Sequence, residues 1–415
     1  MADTQMSPSE VNAAGRFNAF SLPLVAARYM AHLGVMLGVF WLGITLWPVR
    51  SVSSPPIAPW RGQSVLDGAF RWDGGWYWSI AENGYAYSPG QQSNVAFFPA
   101  YPILARVVRW FVGDTVNSMM ILTVLGACAA CCGIATWCRI RGVSQRATWI
   151  ALSMMLLFPY AWFVFGVAYS DGLFLGATVW ACVMLERRRY VAAGLLGALA
   201  SATRPTGLAV IACLVVGGLE VGGVLQVAEA RGMRLLRRFD VPNRLNLSVL
   251  KPRLLAPAIS ALGLGGYMAY LAVRFGDPLL FSRVQQYWGQ PSGALTLLKD
   301  QYFRDLFAFS RPAFVLTTTL QAAFLLIGLA SVPFVGRRFG WRYGIFTLVL
   351  VALPLYGSKD FMGSGRYVLA LFPTFVLVAE RLSGAPLWQR VSYFGASSLA
   401  ALVLSLGFAH GIYLA

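Results

Sequence analysis

Histidine is nearly absent. The 415 residues hold two, His32 and His410, near opposite ends of the chain and inside apolar runs, so no histidine cluster points to zinc. Charge is scarce too: 12% of the residues are Asp, Glu, Lys or Arg and 58% are hydrophobic, which excludes an ordinary soluble globule. Acidic residues are few even within that set, 16 against 33 basic, for a formal net charge of +17. Such an excess invites a nucleic-acid reading. The basic residues, however, sit mainly in short loops between apolar runs, the positive-inside pattern of membrane proteins, and no nucleic-acid partner is expected. The same loops suit an anionic cytoplasmic leaflet. Lysine supplies only three of the basic residues, a bias that says nothing about chemistry. The six cysteines (Cys128, Cys131, Cys132, Cys138, Cys182, Cys213) all lie in or at the end of apolar runs. Cys128, Cys131 and Cys132 share a helical face, where packing of small buried residues is commoner than a metal or redox site. No cleavable signal peptide is evident either, since residues 1–23 are polar and the first apolar run is too long for one.

What is abundant is apolar runs of about twenty residues, recurring along the whole chain. They imply an all-α polytopic membrane protein, a single integral membrane domain over residues 1–415. Residues 1–23 form a cytoplasmic tail, 48–117 a first extracytoplasmic loop and 274–311 a second. Spans are expected over Pro23 to Trp47, Ser118 to Trp137 and Ala147 to Val167, and, after a tight turn Ala168 to Asp171, a fourth ending at Leu185. The stretch Tyr190 to Leu219 is too long for one ordinary span and is interrupted by ATRPTG, where Pro205 disfavours helix at Arg204. Two short helices meeting at an outside turn are the reading. Further spans cover Leu254 to Val273 and Pro312 to Val335, then segments ending near Leu355 and Ala379, and last Val391 to Leu414. That makes about eleven, with the N-terminus cytoplasmic and the chain a multi-pass protein of the plasma membrane.

The first loop carries the densest chemistry. From Ala69 to Pro102 it reads AFRWDGGWYWSIAENGYAYSPGQQSNVAFFPAYP, placing Arg71, Asp73 and Glu82 among Trp72, Trp76, Tyr77 and Trp78. A carboxylate between apolar segments is costly unless solvated, paired or used. Aromatic rings with a polar edge suit a membrane interface, and their faces suit a sugar ring. An interfacial aromatic belt with a surface Asp is the competing reading. Its end, AFFPAYPILARVVRWF, reads as a short helix lying on or dipping into the membrane.

Under the topology above, Asp73, Asp171, Arg204, Asp277, Lys359 and Arg366 all fall at the outside ends of spans. Each has a plainer role available: Asp171 as a helix cap, Arg204 bonding backbone freed by Pro205, Asp277 before Pro278 as a turn residue, Arg366 snorkelling. Together they describe a pocket for a polar headgroup carrying a lipid tail. At these residues the chain resembles the PIG-V-type mannosyltransferases, polyprenyl-phosphate-sugar-dependent glycosyltransferases of the GT-C fold class. RWDGGWYWSIAENGY followed by AFFPAYP is similar to that family's first-loop signature. PYAWFVFGVAYSD, with Tyr169 and Asp171, resembles its Tyr-Ser-carboxylate segment, SATRPTG its Thr-Arg turn, and SGRYVLALFP, with Arg366 and Tyr367, its Arg-Tyr motif. The similarity runs from Phe70 to Pro373 in the same order. It implies a GT-C-like bundle of about eleven transmembrane helices with two long extracytoplasmic loops.

The resemblance also implies a donor, polyprenyl-phosphate mannose, and an acceptor that is lipid-linked or part of the cell envelope. The leaving group is a lipid phosphate, which needs cations. The acceptor hydroxyl needs one general base, and a single carboxylate opposite the phosphate gives inversion. Asp73 is the expected base. Arg204 and Arg366, with Lys359 a weaker candidate, are expected to hold the donor phosphate. Arg71, Trp72, Trp76, Tyr77, Tyr169, Asp171, Asp277 and Tyr367 are expected around sugar or acceptor. No metal and no cofactor are required, since the donor carries one phosphate. A transporter or flippase of lipid-linked saccharides would also want charge and broken helices. Against it, the polar residues gather on one face, and the chain has no internal repeat and no acidic relay. A scaffold for envelope synthesis is a third reading.

Overall fold

The computed structural model of the chain describes residues 21–46, 65–226, 244–290, 294–308 and 311–414. Most of the polar tail, the start of the first loop with SVSSPPIAPW, and much of the basic loop after Glu220 lie outside the described residues. The described chain is built of helices, and its one sheet is a two-residue antiparallel ladder, Leu225–Gln226 against Arg244–Leu245. In chain order the helices are α1 (Leu22–Thr45), α2 (Asp73–Asn83), α3 (Ala100–Val112), α4 (Thr115–Ile140), α5 (Gln145–Leu156), α6 (Trp162–Phe165), α7 (Asp171–Glu186), α8 (Tyr190–Ser201) and α9 (Gly207–Val221). Then follow α10 (Ala261–Phe275), entered through a 3₁₀ stretch Pro252–Ser260, α11 (Leu280–Arg283), α12 (Asp300–Phe307), α13 (Pro312–Phe339), α14 (Trp341–Gly357), α15 (Ser364–Leu369), α16 (Phe372–Ser383) and α17 (Leu387–Ala409).

Among the described residues, five helices are long and apolar enough to cross a membrane: α1, α4, the stretch Pro252–Phe275, α13 and α17. The other apolar helices are shorter or broken, and the breaks have local causes. The span expected from Ala147 to Val167 stops at Leu156 and resumes only as the single turn Trp162–Phe165. Pro159 lacks an N–H to donate and pushes Phe158 out of helical geometry. The last span was expected to fill Val391 to Leu414, but α17 ends at Ala409 and Gly411 takes φ +96°. The interruption expected at ATRPTG is present between α8 and α9.

The centre of the bundle is α7, which is apolar all round and buried along nearly its whole length, as a helix surrounded by others must be. It packs on α4 through small residues. A Cβ on Gly126 would meet Leu173 N at 2.6 Å, and one on Gly176 would meet Gly126 O at 2.5 Å. Close backbone approach of this kind is how helices associate where no hydrophobic force separates them from lipid. The N-terminal end of α7 carries Asp171 and its C-terminal end Glu186. Charge therefore concentrates in two layers, one at each end of the central helix.

Amphipathic α3 lies beside α2. Arg106 donates to Ala81 O and Ile80 O at 2.8 and 2.9 Å, and Arg109 pairs with Glu82. Its apolar residues Ile103, Val107, Trp110 and Phe111 remain exposed, the last two at 81% and 85%. Their spacing puts them on one helical face, the pattern of a helix lying in a membrane interface.

Candidate active site

Asp73 opens α2 within the first loop, so its carboxylate sits at the positive end of a short helix. The segment before it is tied to the rest of the site by backbone: Ala168 N donates to Ala69 O at 3.0 Å, and Asp73 N donates to Tyr169 Oη at 3.1 Å. Ala100 N donates to Ala202 O at 2.9 Å, which ties FFPAYP to the turn between α8 and α9. Motifs of the first loop, of the segment before α7 and of the turn after α8 thus meet near one end of α7.

Two carboxylate–guanidinium pairs occupy that end. Arg366 Nη1 donates to Asp73 Oδ2 at 2.6 Å, both side chains 16% exposed. Arg204 Nη1 donates to Asp171 Oδ1, and this pair is buried, at 7% and 3%. The ring of Tyr367 meets both cations, with the Arg204 and Arg366 guanidinium carbons 4.9 and 5.5 Å from its centroid. Such contacts favour the charged form of each arginine. Burial and the like charge of Arg366 push the Arg204 pKa below its ordinary value. An anion entering between the two guanidiniums would relieve that repulsion. A narrow recess joins these groups, with Asp171, Arg204, Arg366 and Tyr367 set among Val164, Phe174, Leu350 and Ala370. Apolar and polar side chains line it in equal number.

The remaining candidates fall around this centre or away from it. Tyr77 is buried and shares a 2.8 Å hydrogen bond with Ser170 Oγ. Trp76 stacks on Phe97 at 5.8 Å and meets Trp288 edge-on at 5.5 Å. Trp72 meets Tyr413 edge-on at 4.9 Å. Buried Arg71 donates from Nη2 to Ala409 O at 2.6 Å. Asp277 accepts from Leu279 N at 2.9 Å and pairs with Arg283, the work of a turn residue. Lys359 N donates to Gln290 Oε1 at 3.0 Å. Among the described residues, no group of His, Cys, Asp and Glu is arranged to hold a metal ion.

Two neighbours of the site and one fastening of the second loop were not read from the sequence. Trp288, in the second loop, reaches Trp76 and Phe97. It belongs to a satellite aromatic core in which Val95, Phe98, Tyr267, Leu271 and Leu280 bind the two loops together. Lys299 donates to Leu355 O at 2.7 Å and Ser358 O at 2.5 Å, fastening the second loop to the end of α14. Tyr413 lies beyond the last helix. Only Gly411, a helix-stop signal, marked that the chain would turn there.

No family model matches the chain. Among curated proteins, GPI alpha-1,6-mannosyltransferase 2 of Cricetulus griseus and that of Rattus norvegicus are each 31% identical over 157 residues, 35% of this chain and 31% of the relative. The chain thus spans about a third of the length of the curated relatives it matches. A solved structure, the archaeal oligosaccharyltransferase AglB from Archaeoglobus fulgidus in complex with an inhibitory peptide and a dolichol-phosphate, aligns with 92% of this chain and 55% of its own at 13% identity and a TM-score of 0.38, too low to assign a shared fold. The resemblance to the PIG-V-type mannosyltransferases carried by the motifs therefore holds against curated proteins as well, over the matched stretch.

Proposed function

We propose that this chain is a membrane glycosyltransferase that moves a mannosyl residue from a polyprenyl-phosphate donor to a lipid-linked or cell-envelope acceptor, on the extracytoplasmic side of the plasma membrane and with inversion. The observation that carries the reading is the meeting of two carboxylate–guanidinium pairs about Tyr367 beside a narrow recess. Likeness to GPI alpha-1,6-mannosyltransferase 2 supports the choice of sugar.

In this reading Arg204 and Arg366 receive the donor phosphate, which a planar guanidinium matches with two parallel hydrogen bonds. Arg366 is shared: phosphate draws it from Asp73, and Asp73 is then free to accept the proton of the acceptor hydroxyl. The acceptor oxygen forms its bond to the anomeric carbon as the carbon–oxygen bond to phosphate breaks. The bonding pair leaves with the phosphate, whose charge the arginines stabilise, and the acceptor proton ends on Asp73. Asp171 holds Arg204 in place throughout. Lys359 is the weaker cation, and the reaction calls for no cofactor.

Asp73→Asn keeps size and polarity but cannot take the proton. Purified variant, assayed with labelled polyprenyl-phosphate mannose and a lipid extract of the source membranes, is expected to transfer roughly 10²-fold or more slowly than the parent. Donor binding, measured separately, should change little. Transfer at the parental rate would remove Asp73 from the role.

A further inference from the structure

Trp72, immediately before Asp73, holds φ +49° and ψ −112°. A bulky residue adopts positive φ only where its surroundings impose it, and such strain gathers at functional sites. The segment that packs against it comes from residues 409–413. Helix α17 ends at Ala409, Gly411 turns the chain at φ +96°, and Ile412 N donates to Gly407 O at 2.9 Å to close the turn. The turn delivers Tyr413 to the indole of Trp72, ring centroids 4.9 Å apart and planes at 68°. On the other side of Trp72, Arg71 reaches the carbonyl of Ala409 at 2.6 Å. One short segment therefore grips both residues that precede Asp73. A third tie passes through Tyr169, whose hydroxyl accepts from Asp73 N at 3.1 Å and whose ring meets Phe408 at 6.3 Å. Tyr413 also lies within electrostatic reach of Asp73, Arg366 and Tyr367.

We propose that Tyr413 is a positioning residue for Asp73: the segment 410–414 clamps Trp72 in its strained conformation and so holds the Asp73 carboxylate where it meets Arg366. The proposal rests on the reading of Asp73 as the base. A ring that merely covered apolar surface would leave turnover unchanged on removal, provided the fold survived. A positioning ring acts through Asp73 and through nothing else. Its loss should lower kcat and spare donor recognition, and the loss should vanish once Asp73 itself is disabled.

The test uses the full chain in lipid nanodiscs, with labelled polyprenyl-phosphate mannose as donor and a lipid extract of the source membranes as acceptor. Tyr413→Ala is expected to lower kcat on the order of tenfold to a hundredfold, as a displaced catalytic group does, with the donor KM and the thermal midpoint unchanged. Tyr413→Phe keeps the ring edge and should restore most of the rate. Asp73→Asn combined with Tyr413→Ala should be no slower than Asp73→Asn alone. If Tyr413→Ala does not fold, Gly411→Ala replaces it, because a side chain at φ +96° is strained and displaces the same segment. Full turnover of Tyr413→Ala beside an inactive Asp73→Asn overturns the clamp and leaves the base intact. Additive losses in the double variant overturn the clamp too. Full turnover of Asp73→Asn overturns the proposed base and the clamp with it.

Discussion

At the scale of single residues, the buried pair of Arg204 and Asp171 is the most exacting feature. Each had a plainer local role open to it in the sequence, a helix cap for Asp171 and a backbone bond for Arg204. The structure gives Ser170 the capping position, leaves Asp171 as the first residue of α7, and pairs it with Arg204. Breaking a buried pair from one side strands the other charge and costs about 3–5 kcal/mol. Asp171→Ala is therefore expected to lower the unfolding midpoint in detergent and to weaken donor binding, read by thermal melts with and without polyprenyl phosphate. Arg204→Lys keeps the charge and loses the planar fork. It should leave the melt close to the parent while reducing donor affinity, and unchanged affinity would make Arg204 structural.

At the scale of elements, the end of the bundle opposite the candidate site is held by its own charged clasp. Arg342, at the start of α14, meets Glu186 and Glu220 at 2.8 Å each. Tyr343 donates to Glu186 at 2.7 Å, Arg141 donates to Phe339 O at 2.7 Å, and the Glu220 carboxylate accepts from Trp341 N and Arg342 N. Ends of α4, α7, α9, α13 and α14 are joined in this way. Arg342→Ala takes the guanidinium from Glu220, while Glu186 keeps Arg141 at 3.3 Å and the Tyr343 hydroxyl, and is expected to destabilise the chain by up to about 3–5 kcal/mol without altering donor recognition at the far end. A melt within a degree or so of the parent would sink that expectation. The second loop hangs on a smaller fastening. Lys299, 3% exposed, supplies a donor to the carbonyls that end α14, where a cation also suits the helix dipole. Lys299→Met removes the donor and leaves those buried carbonyls unpaired, a loss of about 1–3 kcal/mol. Faster proteolysis within residues 276–311, with the rest of the chain still protected, is the expected sign.

At the scale of the whole molecule, the two charged layers close opposite ends of one helix. Asp171 and Glu186 are the first and last residues of α7, which separates the layers by about 22 Å along its axis. That is somewhat thinner than the roughly 30 Å of a bilayer's hydrocarbon core, and the layers would face opposite aqueous sides. With the site layer extracytoplasmic, exposed Ser88 and Gln286 lie outside and exposed Arg188 inside. Single cysteines at Ser88 and Gln286 should react with an impermeant maleimide on intact cells, and one at Arg188 only after permeabilisation. The reverse pattern would put the site on the cytoplasmic face.

Composition and the spacing of apolar runs settled that the chain is helical and suited to cross a membrane many times, because hydrophobic length is a local property that any twenty residues declare. The motifs likewise declared Asp73, Asp171, Arg204 and Arg366 one by one, since charge beside apolar segments stands out locally. Which of them pair was not legible. Asp73 with Arg366 and Asp171 with Arg204 are contacts across 293 and 33 positions, and several other pairings satisfy the same sequence. Asp277, for which the sequence left both a turn role and a site role open, accepts from Leu279 N within its own turn. Nor could the sequence show that Tyr413 and Trp288 border the site or that Lys299 fastens the second loop to α14, for those contacts rest on loop placement that no periodicity encodes. Those placements follow from the packing of α7 among its neighbours, which decides where every helix end, and so every polar residue at one, comes to rest.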